Sequence, residues 1–323
     1  MAKLRSVFPD NFKYVAIPLI LSIATCASPA KRGRELAENI SSRSILSLRP
    51  IKTIGPIIDE KRSLVEPAAI SINRIGEIFI SDRATNSIYK LSDEFNSISS
   101  EGGIGAELGG FNSPVGIASD AALNLYIADS GNRRIQVLDR NLHFVKSVDS
   151  YFDENNQPLR FNRPEDVTID SESSFWIADN DMVIRLSPFY ELQLELSYRV
   201  PGNFRIGRVS SVDVSKSGYV AIGDQGNRQV IIVSIHGNPI SEFSTGSTSS
   251  VAWDDHDIIW VTDPEAGKLS AYDLNGVLLF VYSEGTSGYR PRWLAFDSAG
   301  RLLVLDAGLR RLTMYEVIRG IGD

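Results

Sequence analysis

Short apolar runs separated by turn-forming residues recur along most of this chain. Between Phe111 and Asn141 (FNSPVGIASDAALNLYIADSGNRRIQVLDRN) three stand in succession: Val115–Ala118, Leu125–Ala128 and Ile135–Leu138. Asp120 and Asn124 separate the first two, and Asp129-Ser130-Gly131-Asn132 separates the second from the third. Runs of about four residues, rich in Ile, Val and Leu and bounded by loop chemistry, predict strands and not helices. A meander of three or four such strands cannot bury both faces alone and needs neighbours of its own kind.

The chain supplies those neighbours. One pattern occurs six times: Pro or a small residue, an apolar strand, a turn, an apolar strand ending on Asp, a polar loop and a third strand. It is anchored on Asp82, Asp129, Asp179, Asp224, Asp263 and Asp306, at spacings of 47, 50, 45, 39 and 43 residues. The residues leading into these aspartates are IFIS, LYIA, FWIA, VAIG, IWVT and LLVL. Units of that period, each with sequence for four strands, predict an all-β fold, a six-bladed β-propeller. Unrelated strands of a β-sandwich would not keep this loop chemistry in register through every unit.

Pro114-Val115-Gly116-Ile117-Ala118 and the stretch from Ile127 to Val137 (IADSGNRRIQV) resemble NHL repeats, and Ile222–Val230 (IGDQGNRQV) resembles them closely. The other units keep the Asp but lose or alter Gly-Asn-Arg. The resemblance runs from about residue 66 to residue 317. It implies the propeller fold and little about activity, because NHL-type propellers serve as enzymes, sensor domains, RNA binders and scaffolds.

The sixth unit has strands at Trp293–Phe296, Leu302–Leu305 and Leu312–Val317, and then the chain stops short of an outermost strand. Upstream of the first unit, Ile45–Ile58 (ILSLRPIKTIGPII) has strand character with no partner of its own. Arg49–Ile54 is therefore expected to complete the last blade and close the ring, which removes two edges open to pairing with other chains.

Ahead of that strand the chemistry changes. Lys3, Arg5 and Lys13 flank an apolar run, Tyr14–Ala24, which is too short to span a bilayer and ends next to Cys26. Ile23-Ala24-Thr25-Cys26 resembles a bacterial lipobox, with Thr25 in place of the usual Gly or Ala. Residues 1–26 are thus expected to be a lipoprotein-type signal peptide, 27–44 a polar tether and 45–323 one propeller. Secretion with cleavage near Ala30 and an uncleaved anchor are the alternatives. A lipidated Cys26 would hold the protein outside the cytoplasm, on the outer membrane of a cell with two, since each buried acyl methylene contributes roughly 0.8 kcal/mol. The formal charge of −7 together with export disfavours nucleic acid as a partner. A single cysteine excludes an internal disulfide framework.

Loops after the Asp-ended strands and linkers into the inner strands are expected on one face. The loops carry Arg83, Arg133, Arg134, Arg228, Lys268, Arg310 and Arg311; the linkers carry Arg160, Arg163, Arg205, Arg208, Arg290 and Arg292. Loop arginines have a structural reading as braces to carboxylates such as Asp82, Asp129 or Asp224. For the linker arginines, ligand binding and simple solvation stand equally open.

At the channel mouth, the two residues after Pro or its equivalent are Ala68-Ala69, Val115-Gly116, Glu165-Asp166, Ser210-Ser211, Ser249-Ser250 and Arg292-Trp293. The charged pairs fall in units three and six, opposite each other in a six-fold ring. Arg163, Glu165, Asp166, Arg208, Arg292 and Trp293 therefore form the candidate ligand pocket: Trp offers apolar area and Arg a fork for carboxylate, phosphate or uronate. The bland alternative is that Glu165 merely pairs with Arg163.

A gluconolactonase-like metal site needs hard oxygen ligands converging from several blades, and only Glu165 and Asp166 qualify. His143, His236 and His256 fall in turns away from the mouth, which leaves no base for a Ser/His/Asp site and no zinc ligands. No cofactor, metal or catalytic residue is assigned. The expected function is a monomeric, non-catalytic binding module for a peptide, glycan or envelope protein. The alternative is a lactonase-type enzyme on an anionic sugar, with Glu165 or Asp166 as base or metal ligand.

Overall fold

A computed structural model describes residues 13–16, 44–198 and 204–320. Six antiparallel sheets surround a central channel, one for each sequence unit. Their inner strands are Pro67–Ile72, Pro114–Ser119, Pro164–Ile169, Val209–Val214, Val251–Trp253 and Pro291–Phe296, here numbered as blades one to six. The second strands end on the six anchoring aspartates, as in Ile78–Asp82 and Phe175–Asp179, and in five of the six blades every residue of that strand is buried. Full burial follows from position, since each second strand is covered on both sides by neighbouring blades. Outer strands such as Pro239–Ser244 instead alternate partly buried and exposed residues.

The core is divided into wedges between blades. Trp293, Leu303 and Leu305 of blade six pack on Ile70 and Ile80 of blade one, and Trp176 and Ala178 of blade three on Val212 and Ile222 of blade four. The ring closes through Ile45–Ile54, which pairs antiparallel with Arg311–Arg319, from Ile45 opposite Arg319 to Ile54 opposite Leu312. This closing strand starts earlier than the Arg49 expected from the sequence. Ile45 and Leu48 are buried in a cluster with Phe280 and Tyr282 of blade five, so the closing strand also welds blade six to its neighbour. Two further elements were not foreseen. Ser150–Phe152 and Pro158–Arg160 make a hairpin in the linker into blade three, and Lys13–Ala16 adds a fifth strand to blade five beside Leu278–Ser283. Cys26 and the rest of the stretch expected to be signal peptide and tether, up to residue 43, lie outside the described residues.

Three polar devices recur. Each anchoring Asp gathers amides: Asp82 accepts from Val65 and Glu66 of the linker and from Ala84 and Thr85 of its loop. The residue after each inner strand, such as Asp120, Asp170 or Asp254, caps the next turn by accepting its N–H groups. Ser92, Asp139, Ser187, Ser234 and Asp273 do the same between third and outer strands. Much of the acidic surplus is thereby consumed in closing turns, where unmet backbone donors would be costly.

Candidate functional site

The mouth is shaped by a repeated bulge. In blades one, three, four and six the ladder between inner and second strand skips one residue: Ala68, Glu165, Ser210 and Arg292. In blade two it skips Val115 and Gly116. A bulge re-aims the skipped side chain and leaves the next residue in the ladder. Each mouth pair is therefore split. Glu165 and Arg292 are free of the ladder at the rim, whereas Asp166 pairs with Ala178 and Trp293 with Leu305 and both line the channel below.

At the rim, Arg163 Nε lies 3.0 Å and Arg208 Nη2 3.2 Å from the same oxygen, Oε1 of Glu165. Glu165 is buried, and both arginine side chains are about half exposed, at 47% and 50%. The bland pairing of Glu165 with Arg163 is thus present, with Arg208 of the next blade as a second partner. Arg292 stands differently. Burial lowers its pKa first of all, the charge of Arg83 lowers it further, Glu66 and Glu165 oppose, and Arg208 again lowers it. Its Nε is buried with no hydrogen-bond partner. A guanidinium desolvated, crowded by like charges and left with an unused donor favours an anion beside it.

The arginines of the post-Asp loops divide. Arg134 is buried and its Nε donates to Asp129 Oδ2 at 2.8 Å, with further donation to the carbonyls of Ala106, Glu107 and Gly110, so it is a brace. Arg228 pairs with Glu265 at 3.4 Å on the surface, where such a pair contributes little. Arg83 donates to Ser113 Oγ at 3.0 Å, and its charge acts on Arg292 of the adjacent blade six.

Below the rim runs a channel cavity of about 230 Å³. Trp253, Trp293 and Phe296 contribute apolar wall, and Asp166, Thr168 and Asp213 polar wall. The inner strands have no strand partner on the channel side, so side chains of the adjacent blade cap their free amides. Asp166 Oδ2 accepts Val212 N at 3.0 Å, Asp213 Oδ2 accepts Trp253 N at 2.9 Å, and Ser211 Oγ accepts Val251 N at 2.9 Å. Gly116 makes room for this: a Cβ there would stand 2.3 Å from Asp166 Oδ1.

Sequence reasoning missed Asp213. The signal was present, since it alone carries a charge at a strand position that is Ser71, Ala118, Thr168, Ala252 and Ala295 elsewhere. The histidines lie in turns: His143 beside Asp139, His236 after Ser234, and His256 within the turn capped by Asp254. Among the described residues no three His, Cys, Asp or Glu side chains are grouped to hold a metal ion.

Burial raises the Asp213 carboxyl to about 6, against 3.8 when free. Burial also raises Asp166 well above its ordinary value, with Asp213 and Glu165 adding to it, although Val212 N–H and Val167 N–H act the other way. Between those pH values the folded chain holds a proton that the unfolded chain has released. Stability therefore falls as pH rises from about 4 to 6, by on the order of 3 kcal/mol for Asp213 alone. Glu77 acts oppositely: burial raises it, but hydrogen bonds from Arg140, Lys90 and Asn73 win and hold it at about 2, against 4.5 when free, so its contribution is present above pH 4.5 and is lost as pH falls from there toward 2. Urea midpoints at pH 4.5 and 7.5 should show wild type weaker at the higher pH and Asp213→Asn with a smaller difference. An unchanged difference would remove Asp213 as the cause.

Known proteins extend this description. Residues 111–138, in blade two, match the NHL repeat. Human NHL repeat-containing protein 3 is 35% identical over 78 residues, which is 23% of this chain, and the match spans about a fifth (22%) of that curated relative. Among solved structures, virginiamycin B lyase from Staphylococcus aureus aligns with TM-score 0.60 and 12% identity over 84% of this chain and all (100%) of its own. A gluconolactonase from Xanthomonas campestris aligns with TM-score 0.60 and 15% identity, over 85% of this chain and 99% of its own. At these identities the likeness is one of fold, and it crosses several chemistries.

Proposed function

We propose that the rim binds an anionic group of a peptide, glycan or envelope-protein partner, and that the propeller is a non-catalytic binding module tethered outside the cytoplasm through Cys26. The observation that carries this is the imbalance around Arg292. Arg83 and Arg208 act on it against Glu66 and Glu165, Glu165 is already shared by Arg163 and Arg208, and Arg292 keeps an unused buried donor. An incoming carboxylate, uronate or phosphate supplies the missing acceptor and offsets the surplus of positive charge. Trp253 and Trp293 below the rim suit the apolar body of such a ligand.

Oligogalacturonate, free-carboxylate peptides and inorganic phosphate, titrated against the protein, test this. Wild type should bind at least one of them, and Arg208→Ala/Arg292→Met should lose about tenfold or more. Equal binding by both proteins defeats the proposal. Arg292→Met should also raise stability by about 1–2 kcal/mol in chemical denaturation, since it removes a desolvated, unpaired charge.

A second reading rests on Asp213, a carboxyl titrating near pH 6 in the channel under an anion-binding rim, where an acid–base group for an anionic sugar or lactone would stand. The lyase and gluconolactonase neighbours accord with it as fold precedents. Asp166 stands beside it, and both carboxyls keep backbone partners, Val167 N–H and Val212 N–H on Asp166 and Trp253 N–H on Asp213. Ring opening or elimination of a uronate substrate that disappears in Asp213→Asn, with binding retained, would favour the enzyme.

A further inference from the structure

Outer strands of a propeller present unpaired backbone to solvent, and proteins guard such edges with charge or proline. Five of the six outer strands are guarded: Glu101 in Ser97–Gly102, Lys146 in Phe144–Val148, Glu195 in Leu192–Leu196, Pro239 and Glu242 in Pro239–Ser244, and Arg49, Pro50 and Lys52 in Ile45–Ile54. Blade five is the exception. Its outer strand, Leu278–Ser283, has the sequence LLFVYS, with neither a charge nor a proline. This is also the edge that is occupied: Lys13–Ala16 runs antiparallel along it, Lys13 opposite Ser283 and Ala16 opposite Phe280.

We propose that the outer edge of blade five is a strand-acceptor site for an extended, apolar-centred segment of a partner polypeptide, with Lys13–Ala16 as its place-holder. Backbone pairing supplies the attraction in strand addition, and alternate side chains supply the preference. On this edge Phe280 and Tyr282 are buried in the blade, Leu279 lies against the same cluster from a partly buried position, and the partly buried Val281 remains for the added strand. Lys13–Ala16 belongs to the stretch expected to be removed on export, and its loss would leave this edge, alone among the six, without pairing or guard. The proposal is independent of the rim.

Hydrogen–deuterium exchange on the full chain tests it. Val15→Pro places a residue with no N–H in the place-holder. Exchange across Leu278–Ser283 should then rise roughly tenfold, the loss of about 1.4 kcal/mol of local protection, while Ile259–Asp263 stays slow and marks an intact ring. A peptide of residues 11–17 (NFKYVAI) should restore protection. Adding Val281→Lys, or Leu279→Lys if the first loosens the ring, should abolish that rescue. Unchanged exchange in Val15→Pro, or no rescue by the peptide, overturns the proposal. Concentration-dependent dimers that protect the same amides would also overturn it, in favour of a second copy of this chain.

Discussion

A chain lacking Ile45–Ile54 should melt about 10–20 °C below the intact protein, in one transition that takes all six blades together. The closing strand contributes the buried side chains of Ile45 and Leu48, each worth roughly 1.5–3 kcal/mol. It also satisfies the ladder of Arg311–Arg319 and seals the cluster that joins blade six to Phe280 and Tyr282 of blade five. A total near 5 kcal/mol converts to that shift at about 2–4 °C per kcal/mol for a domain of this size. Near-UV circular dichroism and the denaturant m-value should move in step. If the shortened chain melts at the original temperature, or loses only blade six, closure is not what holds the ring.

The second large effect belongs to Asp129. Its carboxylate accepts Asn112 N at 2.7 Å, Asn132 Nδ2 at 2.8 Å, Arg134 Nε at 2.8 Å and Gln136 Nε2 at 3.2 Å, all from a fully buried position. Asp129→Ala leaves the buried Arg134 guanidinium with carbonyl partners only, and breaking such a pair from one side costs about 3–5 kcal/mol. Asp224→Ala should cost less, because its partners Gly207, Asn227 and Gln229 are neutral. Urea denaturation of the two variants should rank them in that order. Equal losses would mean that the linker amides, common to both, and not the arginine, account for the effect.

Blade number, blade order and ring closure were legible in the sequence because they rest on repeated local chemistry. An Asp at the end of every second strand marks the loop it braces, and a turn-capping Asp, Asn or Ser marks the end of each inner strand. The structure gives the physical basis of the shared face of loops and linkers, since one carboxylate bonds both. Composition misled on the basic residues of this face: thirteen side chains of similar appearance, twelve Arg and Lys268, include a buried brace at Arg134, a solvated pair at Arg228 and a rim group at Arg163, Arg208 and Arg292. Burial and partners decide which is which, and neither is written locally.

The division of the mouth pairs was not legible for a sharper reason. Simple alternation along a strand cannot tell which of Glu165 and Asp166, or of Arg292 and Trp293, looks outward when the ladder skips a residue between Pro164 and Asp166 and between Pro291 and Trp293. The bulge places Asp166 and Trp293 in the channel wall, and Asp213 joins Asp166 there from the next blade. The six residues first grouped as one pocket thus lie at two levels, a basic rim and an acidic, tryptophan-bearing channel.

A crystal structure grown with the tightest-binding of the anionic probes is the most direct measurement of this arrangement. The account predicts the anion at the rim, accepting from Arg292 Nε and from Arg163 or Arg208 freed from Glu165. An anion bound elsewhere, with Arg292 Nε still unpaired, would contradict it.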